Sequence, residues 1–378
     1  MILRTLLAAS LALAITAAQA QRINFNHLHV SAAEIPDIET ALGITGDTEA
    51  IDGVALAPSG DIYIIHRNDS LKAETFLRME PGHPDEASVL KTDAQIATDL
   101  GAPFSATMIL EGGFATDPTR QVLYFAESFN GEKALLAIDL TQPGNPARVV
   151  LRSNAQLGGM EDFAVLPNGN IVIVRGEEAG VGVLNPNAAT ATYQEKLSRA
   201  EIATLTGGAG DPESVTVHPL TGDVYVFCHV VDELLLIRDI ESASPQTTVV
   251  TPAAWGTVDL HDMAMDEDGT LYGFDEAGER IVILTAEGMA YSHTVAEILE
   301  AAEEGHGHTH SGTSASEGFA PLHGEGGGIT LWRGMAATKI DNQTAVLYLA
   351  LSKSPEFGVL QVMFEPNNAS VGGWIAYE

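Results

Sequence analysis

The feature that most constrains this 378-residue chain is an internal repeat. The segment DGVALAPSGDIYII, Asp52 to Ile65, is an apolar run, a Pro/Ser/Gly/Asp turn, and a second apolar run with an early tyrosine. That pattern predicts two short antiparallel strands joined by a tight turn. It returns as GGFATDPTRQVLYFA from Gly112, EDFAVLPNGNIVIV from Glu161, ESVTVHPLTGDVYVF from Glu213, HDMAMDEDGTLYGF from His261 and RGMAATKIDNQTAVLYLA from Arg333. Tyr63, Tyr124, Tyr225, Tyr272 and Tyr348 share one slot of the second strand, and Val172 fills it in the third unit. The shared slot predicts a ring packed between repeats, with its hydroxyl hydrogen-bonded nearby.

Two more apolar runs follow each unit, such as ALLAIDL from Ala134 and ARVVL from Ala147, or ELLLIRD from Glu233 and TTVV from Thr247. The last unit supplies GVLQVMF from Gly358 and the final WIAY. Repeats of roughly fifty residues with four strands each suit propeller blades. The expectation is an all-β chain, a single six-bladed β-propeller of four-stranded antiparallel blades over residues 48–378. Residues 21–47 form an N-terminal extension that either lies across the outside or completes an outer strand. Two loop/helix insertions interrupt the rhythm. Residues 195–210 read as a short helix and a Gly-rich loop. Residues 295–329 read as an acidic helix, AEILEAAEE, and a His/Gly/Ser-rich loop.

Residues 1–20 read as a Sec signal peptide. Arg4 precedes an apolar run from Leu6 to Ala17, and Ala18-Gln19-Ala20 sets cleavage after Ala20. The expected localisation is periplasmic or secreted. The run is too short to span a bilayer comfortably. A single cysteine, Cys228, excludes an intramolecular disulfide framework. A formal net charge of −33 repels nucleic acid and anionic lipid. The expected partner is therefore a small molecule or a metal ion, with no nucleic acid and no integral membrane.

In a blade the inner strand begins, and the second strand ends, on one face. Ahead of the inner strands stand Asp52, Glu111, Glu161 with Asp162, Glu213, His261 with Asp262, and Arg333. After the second strands come His66, Arg67, Glu127, Arg175, His229, Asp275 and Lys353. Carboxylates converging on one funnel repel each other strongly when partly desolvated. Three things can relieve them: a divalent cation, salt bridges to Arg67, Arg175 and Arg333, or protonation.

These ring positions resemble the calcium-dependent six-bladed propellers, the gluconolactonase, senescence-marker-protein and paraoxonase group. Asp52-Gly53 resembles that group's first-blade Glu-Gly. Glu161-Asp162, in GGMEDFAVLPNGNIVIV, resembles the third-blade motif of paraoxonases, and Glu213, in DPESVTVHPLTGDVYV, resembles a later ligand. The repeat cores are also similar to NHL-type propellers, which are not enzymes. The chain departs from the group by carrying Glu161 and Glu213 where Asn is typical, and by placing His261 and Arg333 in the ring. The resemblance implies a bound Ca²⁺ and a lactone- or ester-hydrolysing reaction, with the ion polarising a carbonyl and a carboxylate or His activating water. On it, Asp52, Glu161, Glu213 and His261 are metal ligands. Asp52 and Glu213 are candidate ligand or base, His261 is the candidate acid–base, and Arg67, Arg175, His229 and Arg333 contact substrate.

A second constellation, GHGHTHSG, carries His306, His308 and His310, with His323 thirteen residues after the last. Alternating neutral imidazoles on a loop can capture Zn²⁺. The alternative functions are therefore a periplasmic zinc-binding or zinc-delivery protein and a non-catalytic scaffold. Cys228, inside VYVFCHVV, is expected to be a buried, inert thiol.

Overall fold

The computed structural model describes residues 22–30, 49–68, 73–80, 83–101, 109–117, 119–129, 131–176, 180–208, 210–294, 334–339, 345–353 and 356–365. The first blade is β2 (Glu49–Leu56), β3 (Ile62–Asn68), β4 (Ala73–Glu80) and β5 (His83–Thr92). The second is β6 (Ile109–Thr116), β7 (Val122–Phe129), β8 (Glu132–Asp139) and β9 (Ala147–Arg152). The third is β10 (Met160–Val165), β11 (Ile171–Arg175), β12 (Gly180–Leu184) and β13 (Tyr193–Ser198). The fourth is β14 (Pro212–Val217), β15 (Val224–Cys228), β16 (Glu233–Arg238) and β17 (Gln246–Val249). The fifth is β18 (Leu260–Met265), β19 (Leu271–Asp275), β20 (Arg280–Leu284) and β21 (Ala290–Thr294). Neighbouring strands within these blades pair antiparallel.

The blade count needs a correction. Five blades, not six, are wound from one uninterrupted stretch of chain each. The remaining four-stranded sheet is a composite of both ends of the chain. It joins β1 (Arg22–Val30) to β24 (Glu356–Glu365), β23 (Ala345–Lys353) and β22 (Met335–Lys339). The segment WIAY, expected as its outer strand, lies outside the described residues, and β1 takes that place instead. Of the two roles open to residues 21–47, completing an outer strand is the one seen. Each inner strand lies against the next, and β22 lies against β2, so the composite sheet closes the ring. Closure of this kind leaves few free sheet edges.

The repeat has a local cause. Gly60, Gly169, Gly222 and Gly269 all have positive φ, between 74° and 88°, and each stands three residues before the shared slot. Gln121 takes the same place in the second blade with φ 53°. This left-handed residue ends the turn and sets the register. The slot residue then faces a small residue of the inner strand: Ala55 opposite Tyr63, Ala115 opposite Tyr124, Thr216 opposite Tyr225, Ala264 opposite Tyr272.

The core lies between blades. Tyr63 packs with Leu123, Phe125 and Leu136 of the second blade. Tyr124 packs with Ile171 and Ile173 of the third. Val172 and Val174 pack with Val215 and Val226 of the fourth. Phe227 and Leu234 pack with Met263 and Leu271 of the fifth. The Tyr272 hydroxyl donates to Asp266 at 3.1 Å, whereas the buried Tyr124 hydroxyl has no such partner. Gly113 shows how close the inner strands come. Its φ is +99°, and a Cβ there would lie 1.9 Å from the Phe163 ring of the next blade.

The expected helix of the first insertion is Arg199–Thr206, started by a reciprocal Ser198/Glu201 capping box and stopped at Gly207. A helix not expected from the repeat, Asp93–Leu100, follows β5 behind a Thr92/Gln95 capping box. No helix among the described residues is long and apolar enough to cross a membrane. The signal segment 1–20 and the insertion 295–329 lie outside the described residues.

Candidate metal centre

Four of the six inner strands carry a one-residue β-bulge near their start. Register slips between Ile51 and Gly53, Met160 and Asp162, Pro212 and Ser214, and Leu260 and Asp262. The residues left out of pairing are Asp52, Glu161, Glu213 and His261. Bulges commonly re-aim a side chain beside a functional site. Two further slots recur around each bulge. Gly159, Asp211 and Asp259 stand two residues ahead of it. Gly176, His229 and Glu276 follow the second strand. The amides of Gly176, His229 and Glu276 donate to the carbonyls of Gly159, Asp211 and Asp259 at 2.8, 3.0 and 3.0 Å. One backbone frame is thus reused in three successive blades with different side chains.

In the fourth and fifth blades those slots fill with titratable groups. His229 Nδ1 lies 2.6 Å from Asp259 Oδ1 and 3.3 Å from Glu213 Oε2. His261 Nδ1 lies 3.3 Å from Glu213 Oε1, and its Nε2 lies 2.8 Å from Glu276 Oε2 and 3.7 Å from Asp259 Oδ1. The two rings stand 6.1 Å apart between centroids. One ligand atom each from Glu213, His229 and Asp259 falls within 4.8 Å of the others. Glu213 forms the floor at 15% exposure, and Glu276 the rim at 46%. The Glu213 carboxylate holds the His261 imidazolium above the usual His range, against the burial that favours a neutral ring. Burial also pushes the nearby Asp232 carboxyl up, and the Asp259 charge adds to it.

A buried brace fixes the cluster from below. Asp275 is 1% exposed and accepts from the amides of Asp259 at 2.9 Å and Gly278 at 3.2 Å. Its other oxygen takes the Arg280 Nε at 2.6 Å, and that guanidinium donates on to the carbonyls of Trp255 and Thr257. The loop carrying Asp259 is therefore clamped at both ends.

His66, Glu127, Arg175, Cys228 and Asp275 occupy matched register positions at the ends of the second strands, and all are buried. One residue further on, His229 and Glu276 reach the cluster. Arg175, expected to contact substrate, is buried at the end of its strand. Its Nε donates to the Gly158 carbonyl at 2.7 Å, and the guanidinium lies 5.2 Å from the Tyr193 ring centre. Burial pushes the Cys228 thiol up to about 12, which leaves it inert. Asp162 joins blades: its carboxylate accepts from Phe163 N at 2.7 Å and from Val215 N of the next inner strand at 2.8 Å.

The sequence brought Glu213, His229 and His261 to this place. The Glu213 carboxylate faces His229 and His261. Glu161 lies one blade away, against Gly176 beside Asp211. Asp259 and Glu276 went unmatched, although the signal existed: both occupy slots defined by Asp211 and His229 in the preceding blade. Only the backbone of Asp52 and Arg67 is described, and Arg333, His306, His308, His310 and His323 lie outside the described residues.

Closed ring, inter-blade cores and four-stranded antiparallel sheets define the chain as a β-propeller. No protein-family model matches it, and no curated protein does. Among solved structures it is similar to a structural-genomics protein of unknown function from Bacteroides thetaiotaomicron, at 11% identity and a TM-score of 0.51, covering 92% of this chain and 76% of that one. It is similar to the PQQ-bound form of an aldose sugar dehydrogenase from Streptomyces coelicolor, at 13% identity and a TM-score of 0.50, covering 92% and 99%. A gluconolactonase from Xanthomonas campestris aligns over 92% of this chain and 95% of its own, at 12% identity and a TM-score of 0.49. At such identities the likeness is one of fold.

Proposed function

We propose that the protein is a secreted or periplasmic, divalent-cation-dependent hydrolase of lactones or esters, acting at the funnel face of the fourth and fifth blades. The observation that carries the reading is the convergence of Glu213, His229 and Asp259 ligand atoms within 4.8 Å. The reaction class rests on the resemblance of the ring positions to the gluconolactonase and paraoxonase group. The donor set departs from that group's calcium chemistry. Calcium sites are built from oxygens, while imidazole among carboxylates suits zinc, manganese or another borderline ion. A cation held by Glu213, His229 and Asp259 would supply Lewis acidity toward a carbonyl oxygen.

The chain's own residues do the rest. Glu213, His229 and Asp259 bind. Asp275 and Arg280 keep Asp259 in place. Asp232, its carboxyl pushed up by burial and by the Asp259 charge, stands beside the cluster. Val230, 57% exposed on the turn after His229, gives the rim an apolar lip. The mixed donor set also keeps the zinc-binding reading open, with the His306–His323 loop, between the fifth blade and the composite sheet, as a capture segment.

The test is metal analysis of the purified chain, then ester and lactone assays before and after chelation. Hydrolysis lost with the metal, and absent from Asp259→Asn, supports the enzyme. Bound metal without hydrolysis supports binding or delivery instead. Activity that survives chelation overturns the reading.

A further inference from the structure

The cluster has more donors than one ion uses. Around His229 the set is Glu213, His229 and Asp259. Around His261 a second set repeats it: His261 is the bulge residue of the fifth blade, as Glu213 is of the fourth, and Glu276 is its post-strand residue, as His229 is. Each set has one imidazole and one glutamate, and Asp259 faces both. Its Oδ1 lies 2.6 Å from His229 Nδ1 and 3.7 Å from His261 Nε2.

The geometry points to a dinuclear centre, with Asp259 shared between an ion on Glu213 and His229 and a second ion on His261 and Glu276. This inference rests on the metal-centre reading above and adds the second ion and its ligands. The tautomer supports it. Ligating histidines usually give their other N–H to a carboxylate. Here His261 Nδ1 faces Glu213 Oε1 at 3.3 Å, which leaves Nε2 for the ion, beside Glu276 Oε2 at 2.8 Å. Charge supports it too. Three carboxylates meet two imidazoles, and those imidazoles must be neutral to ligate, so one divalent ion leaves a net negative charge on the set and two leave +1. Two ions held there would polarise the carbonyl oxygen of an ester and hold the attacking water.

Manganese is the probe, because it sits lowest in the divalent affinity series and imidazoles alone hold it weakly. The full chain is titrated with Mn²⁺, the bound equivalents are counted, and the bound form is examined by electron paramagnetic resonance. Two ions per chain with a spin-coupled spectrum are expected. Glu276→Gln, a change on a half-exposed side chain, reduces this to one ion with an uncoupled spectrum. One ion in the wild type, or two uncoupled ions that Glu276→Gln leaves in place, overturns the dinuclear centre and spares the single-ion reading. Binding unaffected by Asp259→Asn overturns both. Unfolding curves of each variant separate lost ligands from lost fold.

Discussion

Two neighbouring blade junctions use the same three backbone slots and end up chemically different. Between the third and fourth blades the slots hold Glu161, Gly176 and Asp211. Between the fourth and fifth they hold Glu213, His229 and Asp259. At the first junction a Cβ on Gly176 would lie 2.9 Å from both Asp211 Oδ1 and Glu161 Cγ, so the missing side chain lets two acidic residues close on the backbone. At the second an imidazole stands between the carboxylates and converts the pair into a mixed-donor set. The propeller frame is permissive, and one residue per blade decides whether an imidazole stands among a junction's carboxylates.

The harshest way to break the contrast is to remove what lies under the second junction. Asp275→Ala strands the Arg280 guanidinium and two backbone amides, and breaking such a buried pair costs about 3 kcal/mol. Urea unfolding followed by fluorescence of the buried Trp255 reads the loss; an unchanged midpoint would mean the clamp is idle.

His229→Gly makes the second junction like the first. Removing an outer partner of a metal site costs 10–100-fold in affinity, so removing a ligand is expected to cost at least ~100-fold. Stability without metal should move by no more than ~0.5 kcal/mol, as for other half-exposed positions. Unchanged affinity would take His229 out of the centre.

Asp93 shows what burial does to a carboxylate with no imidazole beside it. Its carboxyl is pushed up to about 7 by burial, with the Glu74 amide as an opposing donor. The folded state therefore holds the proton more tightly than the unfolded one. Stability should fall as pH rises from about 4 to about 7, by on the order of 4 kcal/mol at ~1.4 kcal/mol per unit. Asp93→Asn should flatten that slope, which unfolding measured from pH 5 to pH 8 will show. A slope identical to the wild type's would assign the dependence elsewhere.

The smallest effect is at Gly176. Gly176→Ala must shift the Asp211 carboxylate and the Glu161 Cγ, each 2.9 Å from the added Cβ, so a cost of about 1 kcal/mol is expected. A loss several times larger would show that the first junction is rigid.

The legible part of the molecule is the part that repeats. The Tyr slot, the left-handed turn residue three positions earlier, and the four bulge residues all recur in the sequence, because every blade solves the same packing problem against its neighbour. Asp259 and Glu276 were not legible for the opposite reason: each is one filling of a slot whose other occupants are glycines, an aspartate or a histidine. Strand counting gives the end of a strand but not which side of it faces solvent: Arg175 is buried, and its neighbour Gly176 lies beside Asp211 and Glu161. The fourth strand of the composite sheet comes from residues before the first repeat, so a count of repeat units could not assign it.

The most direct test is diffraction from crystals soaked in zinc, with anomalous data collected on both sides of the zinc edge. The account predicts a strong anomalous peak bounded by Glu213, His229 and Asp259, and its disappearance in His229→Gly. Anomalous density confined to other parts of the chain, with these three side chains hydrogen-bonded to one another as before, would contradict it.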